Sequence, residues 1–125
     1  MSSKKSYVNT LKGRITDLYC SSKTTAKKFN YDHNITTRDL IELWYKQDGL
    51  CALTGLPLSL VSQKGIRNYD LISLDRINSS LGYVIGNVQF VLFRVNVMKS
   101  NLDQKVFVDL CGLIHSYFYN GPSCR

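Results

Sequence analysis

Asp75 and Asn96 are the two side chains whose types best suit phosphate-ester chemistry. The first offers a carboxylate and the second an amide oxygen, both hard donors of the kind that Mg²⁺ or Mn²⁺ takes. One such ion with open positions can polarise a phosphoryl oxygen and stabilise charge on the leaving oxygen. Arg76, next to Asp75, stays protonated and has no lone pair, so it cannot take a proton from water. Its planar fork instead suits a phosphate oxygen and the negative charge of a transition state. A general base must come from elsewhere. His33, His115, Tyr69 and Tyr83 are the titratable candidates, and the spacing selects none of them. A tyrosine in that role needs its pKa of ~10 lowered by a cation. Water activated by the metal is therefore the default.

These residues are useful only if the chain brings them together. Tyr69 to Leu74 reads as a short strand, with Tyr69 on the same face as Asp75, and Val88 to Leu92 as a second β-branched strand. The loop between them carries Ser79, Ser80, Gly82, Gly86 and Asn87, the last an ordinary turn residue tolerant of left-handed backbone. In a regular strand Asp75 and Arg76 face opposite ways, so both reach one site only if the strand ends there. Phe93 to Lys99 allows a helix carrying Asn96, although Val95 and Val97 weaken its propensity. Asp75 and Asn96 then meet if the hairpin folds back on that helix.

Flanking segments read as helical. Val8, Leu11, Ile15, Leu18 and Tyr19 recur at helical spacing, with Lys12 and Arg14 at polar positions, and a polar stretch, Ser21 to Lys28, follows. Thr36 and Asp39 fit a capping box ahead of Leu40, Ile41, Leu43 and Trp44, and Gly49 stops that helix. Asp103 caps a last helix with Val106, Phe107, Leu110, Leu113, Ile114 and Phe118 as its apolar positions. The expected fold class is α+β, in one domain over residues 1–125. It comprises a basic helical part (1–48), a central strand–loop–strand–helix unit (66–101) and a C-terminal helix (103–119).

Composition narrows the partners. The chain of 125 residues is 44% hydrophobic and 20% charged, a globular balance, and its net charge is +7. Residues 1–30 carry seven basic groups against Asp17 alone. Such a field draws polyanions, nucleic acid first among them. No apolar run approaches a membrane span and no signal-peptide pattern follows Met1, so a cytoplasmic protein without a membrane partner is expected. Cys20, Cys51, Cys111 and Cys124 form no CxxC pair and read as reduced thiols, Cys51 and Cys111 in the core.

The segment from Ser73 to Lys99 contains Asp75-Arg-Ile77, Gly82-Tyr83, Gly86-Asn-Val88 and Val95-Asn96, then Met98-Lys99. Asn87 lies twelve residues after Asp75, Asn96 nine after Asn87, and Lys99 three after Asn96. In these residues and spacings the segment resembles the HNH endonucleases, a family built on a ββα-metal unit, and in particular small phage and mobile-element members. A looser likeness extends through Cys51-Ala-Leu-Thr-Gly55. The resemblance implies an HNH-like unit enclosed by flanking helices, with Asp75 and Asn96 binding one divalent ion. It also implies that Asn87 braces the loop, so that the catalytic set is Asp75, Arg76, Asn87 and Asn96. Arg76 stands where the family usually has its general-base histidine, giving Asp-Arg in place of Asp-His. Zinc-bearing members carry two CxxC pairs; here the matching positions are Cys51 and Thr54, then Leu92 and Val95, so no structural zinc is expected and apolar packing replaces it.

The function these observations imply is a metal-dependent endonuclease or nickase acting on double-stranded DNA, of phage or homing type. Lys64, Arg67, Arg76, Arg94 and Lys99 are its expected phosphate contacts. Two other classes remain open. One is an HNH-fold DNA-binding module that has lost catalysis through Arg76, and the other a protein-interaction domain whose basic patch meets an acidic partner.

Overall fold

The computed structural model describes residues 10–62 and 65–122. Val8, Lys64 and Cys124 lie outside them. In chain order the elements are α1 (Leu11–Phe29), α2 (Thr37–Lys46), β1 (Ile72–Arg76), β2 (Val88–Leu92), α3 (Phe93–Lys99) and α4 (Gln104–Asn120). Among the described residues the fold is α+β: four helices around one antiparallel two-stranded sheet. No helix among the described residues is long and apolar enough to cross a membrane.

The hairpin positions everything else. Asp75 pairs with Gln89 and Arg76 with Val88 at its loop end, and Ile72 with Leu92 at the other. β1 begins three residues later than the sequence suggests and runs two further. The backbone explains the shift, because Leu71 and Tyr69 spend their carbonyls on the first N–H groups of α3, from Phe93 (2.8 Å) and Arg94 (3.0 Å). Those two donors have no partner inside the helix. Residues 69–71 therefore cap α3 instead of joining the ladder, and Tyr69 sits in an exposed turn, off the face of Asp75.

β2 and α3 occupy the spans expected, and α2 opens with both bonds of its capping box: Asp39 N–H to Thr36 Oγ1 (3.1 Å) and Thr36 N–H to Asp39 Oδ2 (2.9 Å). α1 continues through the polar stretch, Ser21 to Lys28. Thr24 returns its hydroxyl to the Cys20 carbonyl and Ser22 to that of Tyr19, so these residues satisfy themselves within the helix. Ser22 and Ala26 are small enough to be buried, and Asn30 ends the helix in left-handed conformation (φ 59°). Arg14 does not join the basic face either: it is buried, with Nε on the Leu60 carbonyl (3.4 Å) and Nη1 on Asp17 (3.4 Å).

One apolar cluster ties the pieces together. Ile15, Ile35, Leu40, Cys51, Phe90 and Leu92 belong to it, with Val95 from α3 and Phe107 from α4. Cys51 Sγ accepts the Leu92 N–H at 3.4 Å. The positions that the resemblance aligned with zinc ligands are thus partly interior packing: Cys51, Leu92 and Val95 are all buried together.

Candidate active site

Two periodicities meet at the site. Side chains two apart on a strand share a face, and side chains three apart on a helix share a face. Ser73 and Asp75 on β1 accordingly meet Asn96 and Lys99 on α3. Asn96 Nδ2 donates to Ser73 Oγ (2.7 Å) and to the Leu74 carbonyl (3.3 Å), while Lys99 Nζ donates to Asp75 Oδ1 (3.2 Å) and the Arg76 carbonyl (2.9 Å). Asp75, Arg76 and Asn96 line one polar cleft of about 90 Å³, with Leu74, Ser79, Tyr83 and Ser100.

Asp75 is 4% exposed and bound at both oxygens: Lys99 holds Oδ1 and Gln89 Nε2 donates to Oδ2 at 2.9 Å. Gln89 also donates to Gln104 Oε1 (2.6 Å), which carries the network to the start of α4. Lys99 is 0% exposed. It was expected on DNA, and the structure places it instead under the cleft. A lysine can lie there because its ammonium is neutralised by Asp75 and hydrogen-bonded by a backbone carbonyl.

Arg76 turns its guanidinium into the loop. Nη1 donates to the carbonyls of Ser79 (2.6 Å) and Leu81 (3.0 Å), Nη2 reaches Tyr31 Oη at 3.4 Å, and the guanidinium carbon lies 4.1 Å from the centre of the Tyr31 ring. Asn87 stitches the other side of the loop: its Oδ1 accepts the Asn78 N–H (2.9 Å), and its Nδ2 donates to the carbonyls of Asn78 (3.1 Å) and Gly82 (2.9 Å). Asn87 therefore works through the backbone and does not line the cleft.

Of the four base candidates, only Tyr83 lines the cleft. Burial raises its pKa, and the neighbouring Arg76 guanidinium offsets this only in part, so the phenol stays protonated near neutrality. His33 packs behind Tyr83, ring centres 5.8 Å apart, with Nε2 2.8 Å from Ser22 Oγ. His115 lies 4.8 Å from Tyr119 in α4, ring centre to ring centre, the two rings tilted, and Tyr69 lies beside Arg94. Arg94 is half-exposed and paired with Asp70 at 2.8 Å, while Arg67 is exposed in the segment leading to β1. Tyr31, Gln89 and Gln104 were not singled out in the sequence. Their roles come from contacts across 45, 14 and 15 residues of chain, which no local pattern encodes.

A hard divalent ion would find few protein donors here, and the Asp75 carboxylate is already hydrogen-bonded at both oxygens. Among the described residues no three His, Cys, Asp or Glu side chains gather into a metal cluster. The protein's contribution would be Asp75 and Asn96 Oδ1, the end of the amide that is left when Nδ2 is fixed on β1. Water and phosphate oxygens would complete the shell.

The strand–loop–strand–helix unit, with its ion-paired carboxylate and helix-borne asparagine, defines an HNH-like α+β fold. Among solved structures the chain is similar to the rare-cutting HNH restriction endonuclease PacI, studied for how it perturbs DNA. The likeness covers 86% of this chain and 80% of that one, with a TM-score of 0.58 and 21% sequence identity, and at that identity it is a likeness of fold. No family model matches the chain, and no curated protein matches it.

Proposed function

We propose that the protein is a metal-dependent endonuclease or nickase that hydrolyses phosphodiester bonds in double-stranded DNA. The observation that carries this reading is the convergence of Asp75, Arg76 and Asn96 on one polar cleft at the junction of hairpin and helix. Lys99 and Arg76 outnumber the single carboxylate there, so the free cleft carries a positive balance suited to a phosphate group. Arg76 still has donors beyond the two it gives to the loop, and these can grip the phosphate as charge builds on it. Asp75 and Asn96 would hold one Mg²⁺ or Mn²⁺, which when bound would polarise the phosphoryl oxygen and lower the pKa of attacking water. Tyr83, kept neutral, serves as a hydrogen-bond donor at the cleft wall and not as a base. Arg67 and Arg94, together with Lys64, supply phosphate contacts that orient the duplex without reading sequence.

Plasmid nicking tests this reading, but the choice of variant matters. Replacing Asp75 leaves Lys99 as an unpaired buried charge, so lost activity could report lost folding. Asn96→Ala and Arg76→Ala are the cleaner probes. With Mn²⁺ or Mg²⁺, wild type should convert supercoiled to open-circular DNA, chelator should stop it, and Asn96→Ala should fall by about 100-fold or more, on the scale of losing one preorganised group. Full activity in chelator, or in folded Asn96→Ala, would refute the proposal.

A second reading has its own support. Both Asp75 oxygens are engaged and no neutral imidazole lines the cleft, which is what a DNA-binding module that has lost catalysis would look like. It predicts salt-sensitive DNA binding with no cleavage under any metal.

A further inference from the structure

Phe29, the last residue of α1, lies outside the apolar core and is 55% exposed. Its setting follows from how the helix ends. Asn30 takes left-handed backbone and Tyr31 N–H returns to the Ala26 carbonyl at 2.8 Å, the close of a Schellman motif. That reversal stacks the Tyr31 ring on Phe29, centres 5.7 Å apart and planes 26° from parallel. The Arg76 guanidinium carbon lies 4.1 Å from the centre of the Tyr31 ring and 5.7 Å from that of Tyr83. A series of ring contacts therefore links exposed Phe29 to Arg76 and Tyr83, both of which line the polar cleft.

We propose that Phe29 stacks on an unpaired base of a DNA strand whose neighbouring phosphate lies at Arg76, adding to the affinity for DNA that is single-stranded or opened at that nucleotide. This rests on the reading of the cleft as a DNA site and adds what the strand presents beside it. Charge favours a polyanion here: Lys23, Lys27 and Lys28 are exposed on the last two turns of α1, and Asp32 is the one carboxylate between Asp17 and Asp39. A DNA strand alternates such anionic groups with flat π-faces, which an acidic protein surface does not. In a continuous duplex each base is covered by its neighbours, so only an unpaired base can lay its face on an exposed ring. Lys28 Nζ sits 5.3 Å from the centre of the Phe29 ring, an exposed and weak contact that yields to a base while the ammonium stays near the adjoining phosphate.

Fluorescence anisotropy with a labelled single-stranded oligonucleotide and with its duplex tests this. Phe29→Leu keeps an apolar contact for Tyr31 but has no π-face. It should weaken strand binding by about 10-fold or more, within the range for losing one base–aromatic stack, and leave duplex binding within about 2-fold. Phe29→Trp should bind the strand at least as well as wild type. Strand binding at the wild-type level in Phe29→Leu, an equal loss on strand and duplex, or an equal loss in Phe29→Trp overturns the proposal. Wild type supplies a test that needs no variant: an abasic strand, with the same phosphates and no bases, should bind about 10-fold more weakly than the normal strand, and equal binding overturns the proposal. A wild type that binds neither strand nor duplex refutes the DNA reading as well, whereas duplex binding with a strand affinity indifferent to Phe29→Leu refutes the stacking alone.

Discussion

At the scale of single residues, the balance of the site rests on Lys99. An ammonium at 0% exposure has one carboxylate and one carbonyl to replace its water, and Asp75 depends on it in turn. Lys99→Met should therefore destabilise the protein by about 3 to 5 kcal/mol in urea unfolding, because it strands a buried carboxylate. Pairing it with Asp75→Asn should recover a good part of that loss, a coupling that a double-mutant cycle reads directly. His33 gives the pH dependence. Burial lowers its pKa most and Lys23 lowers it further, while Tyr19, Tyr83 and Ser22 surround the ring. The unfolded chain thus binds the proton more readily than the folded one. Stability from this group is fully present above the ordinary histidine value and drains away as pH falls through the lower folded value. Thermal unfolding between pH 7 and 5 should show this acid limb (ordinary pKa ~6.5), and His33→Gln should flatten it. Neither residue was legible in these roles: a lysine's burial is decided by an aspartate 24 positions away, and nothing local announces it.

At the scale of elements, the loop between the strands is fixed from both sides. Asn87 holds it from β2, and the segment after α1 holds it through Tyr83 N–H to the Asp32 carbonyl (2.8 Å), Asn34 N–H to the Tyr83 carbonyl (3.0 Å) and Ile85 N–H to Asn34 Oδ1 (3.1 Å). The contact is so close that a Cβ at Gly82 would meet Asp32 backbone atoms well inside van der Waals distance. Backbone cannot swing aside as a side chain can. Gly82→Ala should thus cost about 1 to 3 kcal/mol, the range for overpacking. It should also lower nicking by displacing Arg76, whereas Gly112→Ala, which meets nothing nearby, should leave the cleft undisturbed. Local signals made much of this level legible. The Thr36–Asp39 capping box and the run Val88–Leu92 are short-range patterns, and the structure contains both. β1 was displaced because Tyr69 and Leu71 answer to α3, and the apolar spacing that marks α1 runs only to Tyr19, beyond which the helix is polar in sequence. The long helix is sustained by burial of Ser22 and Ala26, a tertiary fact.

At the scale of the whole molecule, charge and chemistry are divided between surfaces. Lys12, Lys23, Lys27 and Lys28 stand exposed on α1, and Lys27 and Lys28 close the helix next to Phe29 and Tyr31, the aromatic pair that leads to Arg76. If this face meets the DNA backbone, Lys27→Ala with Lys28→Ala should weaken binding equally for unrelated sequences and lower the salt slope by about 2. An unchanged slope would place the duplex elsewhere. The groove of about 570 Å³ between α2 and the opposite side of the hairpin carries Asp39 and Glu42, the wrong sign for that partner. The interior has a consequence of its own. Cys51, Leu92 and Val95 knit hairpin to helix through oily contact. If the proposed metal-dependent activity holds, scaffold and reactivity separate: stripping ions with EDTA should silence the protein yet leave its melting temperature where it was, and restoring Mn²⁺ should revive it at once, with no refolding step.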